Sequence, residues 1–131
     1  QNYEVVIKKI KIFAKKNYNV YYIPNFGYRF YSSILKNVDC IIGNSSSGII
    51  EAHSLKTYSL NIGDRQKGRY QNSSTFNCDF NYKSIYKSIL SIFKIKNKFT
   101  KKNIYEKKNT SNLILKTIKS LKKININFKN K

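Results

Sequence analysis

The residue types best suited to chemistry lie close together in residues 43–52, which read Gly-Asn-Ser-Ser-Ser-Gly-Ile-Ile-Glu-Ala. This stretch follows a short apolar run and leads into an apolar-periodic segment, which predicts a strand, a small-residue loop and a helix in that order. Such a loop presents backbone N–H groups and the hydroxyls of Ser45, Ser46 and Ser47 to an anion such as phosphate. Glu51, one turn into the predicted helix, adds a carboxylate. The stretch therefore predicts a nucleotide-type site, and an ordinary strand–helix turn with a serine N-cap is the competing interpretation.

The segments around this stretch alternate between helical and strand periodicity. Apolar positions at helical spacing predict helices over residues 5–16, 31–36, 47–55, 82–93 and 110–122, with Asn81 and Asn109 as N-caps of the last two. Short apolar runs predict strands over residues 20–23, 38–42, 58–62 and 75–78. This order predicts an α/β fold with a Rossmann-like, doubly wound parallel sheet that helices cover on both faces. Ligands bind beyond the carboxyl ends of such strands, so the serine stretch and the loop after Ile62 are expected to meet at one crevice.

Length and composition bound the class of protein. With 131 residues the chain is long enough for one domain, and we predict a half-domain over residues 1–122 and a basic, flexible tail over residues 123–131. No apolar run approaches the roughly 18–20 residues of a membrane span, and no signal-peptide pattern opens the chain, which predicts a cytoplasmic protein without a membrane partner. Cys40 and Cys78 lack metal-ligand spacing and are predicted to be small core residues.

The chain is strongly basic, with 26 Lys and Arg against 6 Asp and Glu and a net charge of +20. Such an excess attracts polyanions. Nearly all of these cations are lysines scattered among Asn, Ile and Tyr, which favours a drift in composition as the explanation. Only Arg29, Arg65 and Arg69 are arginines, too few for the arginine and aromatic platforms of nucleic-acid-binding proteins. Binding to nucleic acid or another polyanion is therefore the alternative function, not the favoured one.

Three stretches resemble the C-terminal half of the UDP-N-acetylglucosamine 2-epimerase family, and specifically its hydrolysing branch. They are residues 24–28 (Pro-Asn-Phe-Gly-Tyr) leading into the predicted helix 31–36, residues 43–52, and residues 61–69 (Asn-Ile-Gly-Asp-Arg-Gln-Lys-Gly-Arg). The third stretch matches that branch almost residue for residue. A fourth, residues 103–111, is similar to the family's Asn-Pro-Tyr-Gly-Asp-Gly-Asn-Thr-Ser segment. The resemblance covers residues 3–122.

This resemblance implies one half of a GT-B-type two-domain fold, in which the C-terminal half holds the UDP moiety of a nucleotide sugar. It implies that the diphosphate is bound by the hydroxyls of Ser45, Ser46 and Ser47. It also implies that the ribose is bound by the carboxylate of Glu51. Candidate contacts to uracil or phosphate come from a second group, Phe26, Gly27, Tyr31 and Arg69. For the basic side chains of residues 65–69 a solvated or structural role is the alternative, with Arg69 paired to Asp64 or to another chain.

The resemblance places the hydrolysing reaction on the other half, where acidic residues abstract the sugar C2 proton and assist the loss of UDP. We accordingly predict no catalytic residue, metal or cofactor in this chain. Its acidic residues are six, and no two are predicted to share a face of the crevice: Glu4, Asp39, Glu51, Asp64, Asp79 and Glu106. The expected partners are a UDP-sugar, the missing N-terminal half-domain and a second copy as a homodimer. A non-catalytic remnant is the alternative.

Two departures from the family pattern follow Glu51. His53 stands where the family usually carries Pro, and a structural or solvated His53 is favoured over a ligand contact. Lys56 replaces a Gly, which would cost about 1 kcal/mol or more if that position needs a positive φ to end the helix.

Overall fold

The structure is a computed structural model that describes residues 3–95 and 102–121. It divides into two compact units, Gln1–Val38 and Asp39–Lys131, which are described separately. Residues 122–131, and with them the predicted basic tail, lie outside the described residues. The half-domain over residues 1–122 stays a prediction.

The first unit contains two helices, α1 (Tyr3–Lys16) and α2 (Gly27–Asn37). The predicted helix over residues 5–16 is confirmed as α1, which buries none of its residues. α2 begins four residues earlier than predicted, because the Asn25 side chain accepts a 2.7 Å hydrogen bond from the Gly27 N–H and Gly27 takes a φ of +65° that suits glycine. Leu35 is the buried residue of α2.

The predicted strand over residues 20–23 is wrong. These residues form no strand, and Tyr21 and Ile23 are exposed. Their aromatic and β-branched side chains have high strand propensity, but propensity is a weak guide because a strand persists only where a neighbouring strand satisfies its backbone hydrogen bonds. Among the described residues this segment has no such neighbour.

The second unit is built on three parallel strands in the order β1–β2–β3, which confirms the α/β, Rossmann-like fold class. Its elements are β1 (Cys40–Gly43), α3 (Ser46–Ile50), β2 (Tyr58–Ile62), β3 (Thr75–Cys78), α4 (Tyr82–Phe93) and α5 (Thr110–Leu121). Leu60 at the centre of β2 lies opposite Ile42 and Phe76 and is fully buried. Ile49 of α3 and Ala52 are buried as completely, so the core of this unit lies around β2 and α3.

The bounds of β2, β3 and α4 are those predicted, and the Asn81 side chain caps α4 by accepting a 2.9 Å hydrogen bond from the Ser84 N–H. α3 is shorter than the predicted helix over residues 47–55. It ends at Ile50 because the chain then turns sharply into β2: Lys56 has a φ of +60°, and the Thr57 N–H donates to the Ala52 carbonyl at 2.9 Å. Lys56, where the resemblance implied a Gly, is thus a lysine held in the left-handed region.

Cys40 and Cys78 are half-buried free thiols rather than fully buried core residues. Burial raises the pKa of each thiol, and the neighbouring carboxylates of Asp39 and Asp79 raise it further. Within the described ranges no group of three His, Cys, Asp or Glu side chains has the arrangement to hold a metal ion. No helix in those ranges is long and apolar enough to cross a membrane.

Candidate functional site

The serine loop, residues 43–47, leaves the carboxyl end of β1 and turns directly into α3. Ser45 is the N-cap of α3: its Oγ accepts a 3.3 Å hydrogen bond from the Ser47 N–H, and its carbonyl accepts one of 3.2 Å from the Gly48 N–H. The structure therefore confirms Ser45 as an N-cap. A hydroxyl that accepts one bond still has a proton to donate, so capping leaves Ser45 able to bind a phosphate oxygen. The side chains of Ser45 and Ser46 are exposed and that of Ser47 is half-buried.

Glu51, directly after α3, lies within one hydrogen bond of the serine loop. The Ser47 hydroxyl donates to its Oε2 at 2.5 Å, a short, charge-assisted hydrogen bond. The two residues are four apart, the spacing that brings side chains together on one side of a helical turn. The residues predicted to bind diphosphate and ribose are thus brought together, and the carboxylate remains exposed.

Residues 63–69, which follow β2, contact the serine loop at Asn44. The buried Gln66 side chain donates a 2.8 Å hydrogen bond to the Asn44 carbonyl, and the Arg65 guanidinium donates one of 3.4 Å to the Asn44 side chain. The two loops therefore meet at the carboxyl edge of the sheet, as expected for adjacent parallel strands. Sequence reasoning missed Gln66, because a glutamine between charged residues gives no sign that it is buried.

Arg69 is exposed in the same loop. Among the described residues no hydrogen bond links its side chain to the serine loop, and no ion pair within 4.0 Å joins it to Asp64. Its backbone N–H donates to the Gln66 carbonyl at 3.3 Å, which closes the turn around Gly68. Of the basic residues predicted to meet phosphate, Arg65 is therefore the one held against the serine loop.

A polar cleft of about 630 Å³ opens at the carboxyl ends of β2 and β3. Three amide side chains hydrogen-bond to one another along it: Asn77 Oδ1 accepts from Asn61 at 2.9 Å and from Gln71 at 3.2 Å. The prediction that no two acidic residues share a face of the crevice is wrong here, because Asp64 and Asp79 both line this cleft. They follow the ends of neighbouring parallel strands, and such ends face the same side of the sheet.

The first unit brings together the residues predicted to lie near uracil. Phe26, Gly27 and Tyr31 line one shallow cavity of about 370 Å³ with residues 23–25 and Tyr28. Phe26 and Tyr31 are half-buried, and Tyr28 is exposed at 81%. An aromatic cavity of this kind offers stacking surfaces to a planar ring.

A buried polar layer lies next to α3. His53 is 4% exposed, and its Nδ1 lies 2.8 Å from the hydroxyl of the buried Ser74. This arrangement agrees with the structural role favoured for His53. Asn72 and Asn103, also buried, bind the carbonyls at the end of α3. Sequence reasoning missed both asparagines, and the only signal was the position of Asn103 at the start of the fourth family-like stretch.

Comparisons with known proteins agree on one family. A family model described as UDP-N-acetylglucosamine 2-epimerase matches residues 2–119. The polysialic acid biosynthesis protein P7 of Escherichia coli is 37% identical over 86 residues, which are 66% of this chain and 22% of that protein. The GDP/UDP-N,N'-diacetylbacillosamine 2-epimerase (hydrolyzing) of Campylobacter jejuni is 40% identical over 67 residues, 51% of this chain and 17% of that protein. The UDP-N,N'-diacetylbacillosamine 2-epimerase (hydrolyzing) of Legionella pneumophila is 43% identical over 51 residues, 39% of this chain and 14% of that protein. The matches thus span about a fifth or less of the length of these relatives.

Proposed function

The chain belongs to the UDP-N-acetylglucosamine 2-epimerase family, and from this membership we propose that it is the UDP-binding part of a hydrolysing 2-epimerase that releases UDP and an N-acetylmannosamine-type sugar. Two relatives with "hydrolyzing" in their names support the reaction type. The observation that carries the proposal is the 2.5 Å hydrogen bond from the Ser47 hydroxyl to Glu51, which holds a carboxylate suited to ribose next to the exposed hydroxyls of Ser45 and Ser46, suited to phosphate.

In this proposal the serine loop binds the diphosphate. The exposed hydroxyls of Ser45 and Ser46 donate to phosphate oxygens, and hydrogen bonds to an ionised acceptor are about twice as strong as neutral ones. Arg65, held to Asn44, supplies positive charge next to the loop. The net charge of +20 favours approach of the doubly or triply anionic ligand.

Glu51 binds the ribose in the same proposal. A carboxylate offers about four lone-pair positions to donors, and Ser47 uses one of them. The remaining positions accept hydrogen bonds from the 2′ and 3′ hydroxyls of the ribose, which lie next to each other on one face of the sugar. Glu51 thus distinguishes ribonucleotides from deoxyribonucleotides. For the cavity around Phe26 and Tyr31 in the first unit we propose contacts to a planar ring such as uracil.

The hydrolysing chemistry belongs to an N-terminal half-domain in this proposal, and the assembly works in the cytoplasm as a homodimer. Support for a covering partner comes from α5, whose apolar side chains are 45–58% exposed: Leu113, Ile114, Leu115, Ile118 and Leu121. An amphipathic helix that leaves its apolar face in water gains stability when another surface covers that face.

Titration of the chain with UDP, followed by backbone amide NMR, tests the proposal. We expect shifts concentrated at residues 43–51 and 26–31, and weaker shifts with Glu51→Gln. Ser91→Ala, a serine change on α4 whose hydroxyl donates its proton to the Ser88 carbonyl, serves as the matched control and should leave the UDP response intact. If UDP at millimolar concentration shifts no amide in residues 43–51, the chain does not bind UDP and the proposal is wrong.

The net charge favours a second candidate function, binding of nucleic acid or another polyanion. That function predicts binding to random-sequence DNA with an affinity that falls steeply as salt rises, because phosphate contacts release counterions. UDP binding that is insensitive to competing DNA would separate the two functions.

A further inference from the structure

We infer that Asn103 is a positioning residue that holds Glu51 in place for ribose recognition, an inference that rests on the proposed UDP-binding function. Its starting point is the shortness of α3, which ends at Ile50. The last four carbonyls of a helix have no partner within the helix. The carbonyls of Ile49 and Ile50, directly before Glu51, therefore need donors from another part of the chain.

The side-chain amide of Asn103 binds the chain on both sides of Glu51. Its Nδ2 donates a 2.7 Å hydrogen bond to the Ile50 carbonyl, one residue before Glu51. The same Nδ2 donates a 2.8 Å hydrogen bond to the Ser54 hydroxyl, three residues after Glu51. One planar group with two fixed donor directions thus sets the distance between the two flanks of Glu51.

Asn103 is itself held by neighbours that leave its amide no freedom to rotate. Its Oδ1 accepts 2.9 Å hydrogen bonds from the Asn72 side chain and from the Tyr105 N–H. Asn72 also donates to the Ile49 carbonyl at 3.1 Å. Both protons and both lone pairs of the Asn103 amide are therefore used, and the side chain is 5% exposed. Rotation of this amide would leave buried donors and acceptors unpaired.

These hydrogen bonds link the buried Asn103 to the chain that carries the exposed carboxylate of Glu51. Asn103 holds the chain before Glu51 at the Ile50 carbonyl, and Ser47 holds the Glu51 side chain, whereas Asn103 lies beneath the surface. A recognition group held by buried neighbours loses less freedom when its ligand binds. Asn103 therefore acts on the ribose through Glu51 and not by contact with the ligand.

The test compares three probes, UDP, 2′-deoxy-UDP and pyrophosphate, on the 131-residue chain and its Asn103→Ala variant. We expect Asn103→Ala to bind UDP about tenfold more weakly and to lose the preference for UDP over 2′-deoxy-UDP, with pyrophosphate binding unchanged. The matched control is Asn81→Ala, which removes the cap of α4 and so lowers stability without contacting α3. It should leave both the affinity and the preference as they are.

A double-mutant cycle with Glu51→Gln separates positioning from general destabilisation. If Asn103 acts through Glu51, Asn103→Ala weakens UDP binding no further in the Glu51→Gln background. Should Asn103→Ala fail to fold, Ser54→Ala removes one of the two Asn103 contacts at an exposed side chain, and we expect a smaller loss of the same ribose preference.

The outcomes distinguish this inference from the function on which it rests. Equal weakening of UDP and pyrophosphate, or additive effects of Asn103→Ala and Glu51→Gln, overturns the positioning role while UDP binding stands. Absence of UDP binding by the unsubstituted chain overturns the proposed function itself.

Discussion

The Ser47 hydroxyl and the Glu51 carboxylate share a 2.5 Å hydrogen bond at the point where α3 ends. This contact joins the last serine of the loop to the first acidic residue after it, so neither side chain is independent of the other. Both residues lie at the surface or partly buried, where a single hydrogen bond contributes modestly to folding. The bond therefore orders the site more than it stabilises the fold.

The first prediction concerns the energetic coupling of this pair. In a double-mutant cycle of Ser47→Ala and Glu51→Gln, the free energies of unfolding should be non-additive by about 1.5 kcal/mol, the lower end of the range for a hydrogen bond to a charged group. Urea denaturation of the unsubstituted chain, the two single variants and the double variant measures this coupling free energy. Ser91→Ala combined with Glu51→Gln should be additive, because these residues share no contact. Additive effects for Ser47 and Glu51 would show that the bond is not formed in solution.

The second prediction concerns the close approach of α3 to β2. A Cβ added at Gly48 would lie 2.5 Å from the hydroxyl of the buried Ser59. We expect Gly48→Ala to destabilise the fold by about 1–3 kcal/mol, the usual cost of overpacking. Without the Ser59 hydroxyl, the next atom lies at 3.6 Å, which is ordinary contact.

The effect of Gly48→Ala on stability should therefore change from destabilising to stabilising in the Ser59→Ala background. There Gly48→Ala should stabilise α3 by up to about 1 kcal/mol, since alanine is the better helix former. Thermal unfolding of the four proteins gives the comparison. Equal destabilisation in both backgrounds would mean that something other than the Ser59 hydroxyl requires glycine at this position.

The third prediction concerns the positive φ of Lys56. A non-glycine residue in the left-handed region costs about 1–2 kcal/mol, and Lys56 has a φ of +60°. Lys56→Gly should therefore raise the free energy of unfolding by about 1 kcal/mol. Lys94 is the matched control, because its φ of −79° suits any residue. Lys94→Gly should lower stability, and a stabilising effect at both positions would contradict the explanation.

The fourth prediction concerns the two thiols. Burial raises their pKa above the ordinary 9.0, so the unfolded chain releases each thiol proton before the folded chain does as pH rises. Their contribution to stability is complete below pH 9.0 and is lost as pH rises through the higher folded value. The unsubstituted chain should therefore lose stability more steeply above about pH 9 than the Cys40→Ser variant. If the free energies of unfolding of the two proteins change in parallel up to about pH 10, the raised pKa of Cys40 is contradicted.

Much of the candidate site could be predicted because its pattern is local. The serine loop, its connection to β1 and the position of Glu51 follow from a few consecutive residues, and so does the cap at Asn81. The positive φ at Lys56 was only a condition raised by the resemblance, and the structure shows that it is met, with a φ of +60°. Helix caps and turns depend on neighbours within about four residues, which is why sequence reasoning reaches them.

The contacts that hold the site in place could not be predicted in the same way. Gln66 is 22 residues from Asn44, and Asn103 is 53 residues from Ile50. Nothing in a lone Gln or Asn indicates which distant carbonyl it will bind, because that partner is chosen by the packing of β2 and α3. The failure of the strand over residues 20–23 has the same origin, since a strand needs a partner that propensity does not supply.

The sequence by itself therefore determined the type of fold, the bounds of β2, β3 and α4, and the grouping of serines with one carboxylate. Only the tertiary structure decided that α3 stops at Ile50, that Asp64 and Asp79 share a cleft, and that buried amides hold the chain on either side of Glu51. The physical reason is range. Side-chain periodicity and capping act between near neighbours, whereas burial and long-range hydrogen bonds exist only once distant segments have packed together.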